Sequence, residues 1–237
     1  MTGATVAAPG VPGEVGPRWA RWVGRFFARV VWSTEIVGAH HVPKHGPVLL
    51  AANHTGFVDG HVLIGAAPRG IHVLVKQEAF TGAIGAVLRA SGQIPVDPDG
   101  GRTALVAGLA VLRRGGVVAV FPEGNRGRGD AASSRGGVAW LAVTSGAPVV
   151  PVAILGTRRT GESVDSSPGL RRRLVVEFGE PLTLTRPAGV SGRDAVAQGH
   201  ETLRTTLAEH VDTVVRRTGV ALPTDDPNAE QRGPVRP

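Results

Sequence analysis

The chain of 237 residues has no cysteine, no tyrosine and one methionine, and its only aromatics are four Trp and six Phe. Without cysteine there is no disulfide, no thiolate nucleophile and no thiolate metal site, a composition that suits a reducing compartment. So few aromatics argue against the stacking platforms of single-strand nucleic-acid binders. Lysine is nearly missing as well. Lys44 and Lys76 stand alone, so the net charge of +7 is carried by arginine. No apolar run reaches the length that crosses a bilayer. The first sixteen residues lack the basic start and apolar stretch of a signal peptide, so none is expected. What is present is a hydrophobic content of 42%, enough in a chain of this length for one sizeable core. The positive charge favours anionic partners: nucleic acid, a membrane surface or a phosphorylated substrate.

The most informative stretch is Asn53-His54-Thr55-Gly56-Phe57-Val58-Asp59. It follows Pro47-Val48-Leu49-Leu50-Ala51-Ala52, which reads as a buried strand, and precedes Gly60-His61-Val62-Leu63-Ile64, which reads as the start of a helix. Five residues along one helix would leave His54 and Asp59 about 140° apart. They meet only if His54 lies in a turn, which Gly56 is expected to permit, and Asp59 lies in the first helical turn. A carboxylate that accepts the proton of one ring nitrogen leaves the other free to act as a base.

Residues 1–16 are small and rich in Gly and Pro, and are expected to be disordered. Residues 17–34 read as an amphipathic helix starting near Pro17. Arg18, Arg21, Arg25 and Arg29 fall within about 80° of arc, beside a face holding Trp19, Trp22, Phe26 and Phe27. Half of the aromatics lie between Trp19 and Trp32. An aromatic face beside an arginine stripe is the composition of a helix lying in a membrane interface.

Residues 35–218 carry alternating strand and helix patterns. Strands are expected at 35–38, 71–75, 92–97, 117–121, 147–154 and 174–178, and helices through Phe80 to Leu88, Leu105 to Leu112, Val138 to Ser145 and Val196 to Val214. Ser191 to Asp194 reads as a helix cap. This predicts a single α/β domain: a mixed sheet of about six or seven strands flanked by helices. Residues 219–237 read as a flexible tail. His40, His41 and His45 cluster locally without further converging ligands, so a solvated loop rather than a metal site is expected.

The second strand-end loop, Pro122-Glu123-Gly124-Asn125-Arg126-Gly127-Arg128-Gly129, combines glycines with two arginines. Glycines let backbone amides approach a ligand, and arginines fork onto phosphate oxygens. Glu123 is suited to bond a ligand hydroxyl or to orient an arginine.

Together, in order, these stretches resemble the glycerolipid acyltransferase family, in particular the 1-acylglycerol-3-phosphate acyltransferases. The Asn-His-(four residues)-Asp block is matched by Asn53, His54 and Asp59. The Gly-x-Ile…Asp-Arg block is matched from Gly92 to Asp97, with Pro98 in place of the Arg. The Phe-Pro-Glu-Gly-Thr-Arg-Ser block is matched by Phe121, Pro122, Glu123, Gly124 and Arg126, and an apolar strand holding a proline by Val150 to Ile154. The resemblance implies transfer of a fatty acyl group from acyl-CoA or acyl-carrier protein to the free hydroxyl of lysophosphatidic acid. His54 would be the general base and Asp59 its orienting partner. Asn53, Lys76, Glu123, Gly124, Arg126 and Arg128 are candidates for holding substrate. Amides of the Glu123-Gly124 loop or of a turn near Asn53 are candidate oxyanion donors. No metal or cofactor is implied beyond the acyl donor. The partners would be a membrane surface and a lysolipid, not nucleic acid, and the enzyme would sit peripherally on the cytoplasmic face of the membrane. Pro98 leaves open another lysolipid, a glycolipid or glycerol 3-phosphate as acceptor; a separate alternative, against which intact His54, Asp59 and Glu123 argue, is an inactive lipid-binding protein of the same fold.

Overall fold

A computed structural model describes residues 10–97, 101–131 and 136–225. At its centre lies β2 (Val48–Ala52), five residues without polar alternation, every one of them buried. A strand covered on both faces has to read this way. Beside it lie β5 (Val117–Val120) and β6 (Val149–Leu155), equally apolar. The sheet is completed by β1 (Ser33–Val37), β3 (His72–Lys76), β4 (Ile94–Val96) and β7 (Arg173–Phe178). The order across the seven strands is β1-β7-β6-β2-β5-β3-β4. Neighbours are parallel except β6 and β7, so the sheet is mixed, as expected. Pro95 sits on the edge strand β4, where a missing ladder donor is tolerated.

Side chains alternate across β2 and feed two cores. Leu50 and Ala52 pack with Val62 and Leu63 of α2 (Asp59–Ala66) on one face. Leu49 and Ala51 pack on the other with Val111 and Leu112 of the helix at Arg102–Arg113 and with Leu141 of that at Gly137–Ser145. With α1 at Val15–Phe26 and α3 at Gly82–Ala90, these are α4 and α5. The last helix, α6 (Gly192–Thr218), is capped by Ser191, whose hydroxyl accepts the Asp194 amide, and its Leu207, Val211 and Val214 cover Ala153 and Leu155.

α1 lies along α2 at a glycine-to-glycine crossing. A Cβ added to Gly65 would stand 2.3 Å from the Gly24 carbonyl, so only glycine allows this approach. After α1 the chain continues in π-helical geometry over Phe27–Val31. Among the described residues no helix is long and apolar enough to cross a membrane.

Three boundaries differ from expectation: the helical stretch ends at Val31, so Ser33 and Thr34, expected within it, open β1, where they pair with Arg173 and Leu174 of β7. The helix begins at Val15, not Pro17, and the residues before it are packed: Val11 joins the core and Arg114 donates to the Pro12 carbonyl at 2.6 Å. Gly16 is the physical reason, since its missing side chain lets the chain press onto the Ala90 carbonyl, 2.5 Å from where a Cβ would be. At the other end residues 219–225 are not a loose tail. Val220 and Leu222 pack under α6, and Asp225 pairs with buried Arg158. The rest of both predicted flexible ends, residues 1–9 and 226–237, lies outside the described residues, as does Pro98.

Candidate active site

The carboxyl ends of the adjacent parallel strands β2, β5 and β6 open onto one place, where α/β folds gather their ligands. From β2 come Asn53 and His54, from β5 Phe121 to Gly129, and from β6 Thr157 and Arg158.

Asn53 does not face a substrate. It is fully buried, donates through Nδ2 to the Ile154 carbonyl at 3.1 Å, and accepts the Ile154 amide on Oδ1 at 2.7 Å. Its amide side chain extends the β2–β6 ladder past the last strand residue, and this corrects its expected role as a substrate contact.

His54 and Asp59 are brought together as their spacing requires. His54 lies in the turn and Asp59 opens α2. The ring Nδ1 donates to Asp59 Oδ2 at 2.8 Å. The same oxygen accepts the Thr55 and Gly56 amides at 2.7 and 2.9 Å, and Oδ1 accepts the Thr157 hydroxyl. Four donors thus fix a carboxylate that is entirely buried. With Nδ1 as donor, Nε2 carries the lone pair, and no described group bonds to it. The ring stacks on Phe121 at 4.2 Å and its side chain remains 17% exposed, so a substrate can reach it. Gly56 is not needed for the turn. Its φ is not positive, and an added Cβ would meet Arg158 Cβ at an ordinary 3.5 Å. The left-handed residues of the site include Gly124, at φ 72°, and Gly129, at φ 70°.

Glu123 does not orient an arginine. Its Oε1 accepts the His54 amide at 3.1 Å, and burial pushes its carboxyl up to about 8. The glycines after it approach the protein's own chain rather than a ligand. The Gly127 amide donates to the His54 carbonyl at 3.0 Å, and a Cβ on Gly129 would stand 2.3 Å from Thr55 Cγ2. The Gly124 amide is taken by the Phe121 carbonyl and the Asn53 amide by Val152, so neither is free for the expected oxyanion role.

The cations lie at the rim. Lys76 at the end of β3 donates to Asn125 at 2.7 Å, which brings it to the β5 loop. Arg126 lies over the Phe57 ring at 5.8 Å and pairs with Asp165. Arg128 is half exposed, 3.4 Å from Asp130. Sequence reasoning missed Thr157, Arg158 and Asp165, which lie in a polar stretch rich in Arg and Ser that carries no motif. The one available signal was the position of Thr157 and Arg158 directly after a buried strand.

The aromatic face of α1 is uncovered. Trp22 and Phe26 are more than half exposed, and Trp19, Phe27 and, in the active-site turn, Phe57 are about two-fifths exposed. Arg18 and Arg29 are exposed beside them. Arg21 is not: its Nε donates to the Ala67 carbonyl at 2.8 Å, capping α2, and burial pulls its guanidinium down from the ordinary arginine value. Arg25 is half-buried.

A family model described as acyltransferase matches residues 33–155. The chain is 28% identical over 178 residues to a 1-acyl-sn-glycerol-3-phosphate acyltransferase of Bacillus subtilis (strain 168), covering 74% of this chain and 86% of that one. It is likewise 28% identical over 127 residues to the enzyme of that name from Borreliella burgdorferi, covering 52% of this chain and 51% of the relative. Among solved structures, the 1-acyl-sn-glycerophosphate acyltransferase of Thermotoga maritima superimposes with a TM-score of 0.64 at 20% identity, covering 84% of this chain and 79% of that one, which supports the fold. With its ordered sequence blocks gathered at one sheet end, and a family match spanning more than half of its 237 residues, the chain belongs to the acyltransferase family as an O-acyltransferase, and is similar to the 1-acyl-sn-glycerol-3-phosphate acyltransferases named above.

Proposed function

We propose that this protein transfers a fatty acyl group from a thioester, acyl-CoA or acyl-carrier protein, to the free hydroxyl of lysophosphatidic acid, giving phosphatidic acid. One observation carries the reading: the His54 imidazole is fixed by Asp59 at 2.8 Å with Nε2 open. Nε2 takes the proton of the acceptor hydroxyl as its oxygen attacks the thioester carbonyl. The new C–O bond forms, the C–S bond breaks, and the proton passes from His54 to the leaving thiolate. Asp59 holds the tautomer and stabilises the imidazolium. The acceptor is itself the nucleophile, so no acyl-enzyme forms. Lys76, Arg126 and Arg128 at the rim provide the positive charge that the acceptor's phosphate requires. The similarity to named 1-acyl-sn-glycerol-3-phosphate acyltransferases supports this acceptor.

Both substrates partition to bilayers, and the exposed face of Trp19, Trp22 and Phe26 on α1 and Phe27 in the π-helical turn after it, flanked by Arg18 and Arg29, suits a peripheral position on an anionic cytoplasmic leaflet. Purified protein with palmitoyl-CoA and vesicles carrying lysophosphatidic acid is expected to form phosphatidic acid. Glycerol 3-phosphate and neutral lysolipids in place of lysophosphatidic acid test the acceptor, and product from one of these alone overturns the assignment.

A further inference from the structure

One fully buried cation takes no part in the mechanism above. The side chain of Arg158 has 0% exposure. A buried charge is costly unless it is paired and its donors are satisfied, and Arg158 meets both conditions. Its Nη1 meets Asp225 Oδ2 at 2.8 Å and the Glu162 carbonyl at 3.2 Å. Nη2 donates to the carbonyls of Gly127 and Asp225, both at 3.0 Å, and Nε to the carbonyl of Thr55 at 3.0 Å. Two of these acceptors belong to the reaction site. Thr55 follows His54, and its amide is one of the donors that hold Asp59. Gly127 donates its own amide to the His54 carbonyl. One guanidinium thus fixes the His54 turn and the β5 loop against each other, and the residue that neutralises it comes from beyond α6.

We propose that Arg158 is a positioning residue for acyl transfer, with Asp225 as its counter-ion, so that the segment after α6 is part of the active-site framework. Arg158 acts through the Thr55 peptide. Holding the Thr55 carbonyl sets the direction of the Thr55 and Gly56 amides, these set Asp59, and Asp59 sets the His54 ring. The planar fork matters, because it reaches carbonyls in different directions at once; an ammonium in its place cannot hold the same set. Both residues lie outside the stretch that matches the family model. The inference rests on His54 being the base.

The test compares full-length Arg158→Lys and Asp225→Asn with the unaltered chain. It reads kcat and KM for lysophosphatidic acid on vesicles, and the downfield proton-NMR signal of the His54 Nδ1–H, assigned by its loss in His54→Ala. Arg158→Lys is expected to lower kcat by about 10- to 100-fold with KM unchanged, and to broaden the Nδ1–H signal through faster exchange. Asp225→Asn keeps the carbonyl contact and loses only charge, so a drop of about three- to tenfold is expected. If Arg158→Lys does not fold, Asp225→Asn carries the test. Folded variants with unchanged kcat overturn the proposal. So does activity that falls only with the folded fraction while the Nδ1–H signal stays sharp, since that is the mark of a merely structural arginine. A fully active His54→Ala defeats the base assignment separately, and the NMR comparison still reports whether Arg158 positions the ring.

Discussion

Two carboxyl side chains brace the same histidine and are held in opposite ways. Asp59 is buried among four donors, from the His54 ring, the Thr55 and Gly56 amides and the Thr157 hydroxyl. Glu123 is nearly as buried but, among the described residues, has only backbone amides, those of His54 and Ala131, and it faces the like charges of Asp130 and Asp59. Burial therefore dominates, and its carboxyl is pushed up to about 8, so it is mostly protonated at neutral pH. Asp59 orients the ring and Glu123 steadies the backbone of the same residue. The difference shows that burial alone does not decide what an acidic side chain does. The number of donors aimed at it does.

The largest effect should come from emptying the well-served site. Asp59→Ala leaves two amides and a hydroxyl without their acceptor and frees the ring. A loss of about 10²- to 10⁴-fold in kcat is expected, with about 2–4 kcal/mol of stability, read by steady-state kinetics and denaturant titration. A modest loss in both would mean that the donors are not what holds the turn.

Glu123 sharpens the other half of the comparison. A group whose folded pKa lies above its unfolded value contributes stability that is fully present below the unfolded value, near 4.5, and is lost as pH rises through about 8. Glu123→Gln should remove that decline, so between pH 5 and 8 the variant's Tm should fall less than that of the unaltered chain. Parallel curves would show that Glu123 is not the titrating group.

Thr157→Val removes one donor of the four and should cost about 1 kcal/mol, with a kcat several-fold lower, checked by the same two measurements. The smallest catalytic effect belongs to α1. Trp22→Ala with Phe26→Ala should weaken partitioning to anionic vesicles by about tenfold or more, while turnover of a short-chain soluble acceptor is unchanged. Equal sedimentation of variant and unaltered chain would remove the membrane role of that face.

Much of this was legible in the sequence. Unbroken apolar runs marked β2, β5 and β6, and the five-residue step from His54 to Asp59 foretold a turn followed by a helix. What was not legible depends on which strands become neighbours. Asn53 looked like a ligand contact, but β6 lies beside β2 and takes both ends of its amide. Thr157 and Arg158 sit about a hundred residues from the turn they support, a distance no local pattern spans. Arg21 shared the arginine stripe of α1, yet the glycine crossing with α2 turned it onto the Ala67 carbonyl instead of toward solvent.

The most direct test of the account is acyl transfer by the unaltered chain and by His54→Ala, side by side, with palmitoyl-CoA and lysophosphatidic acid on anionic vesicles, and circular dichroism to show that both are folded. The account predicts phosphatidic acid from the first and a rate lower by about 10³-fold from the second, with the fold intact. Comparable rates from two folded proteins would contradict it, because the imidazole that Asp59 holds at 2.8 Å would then not be the base.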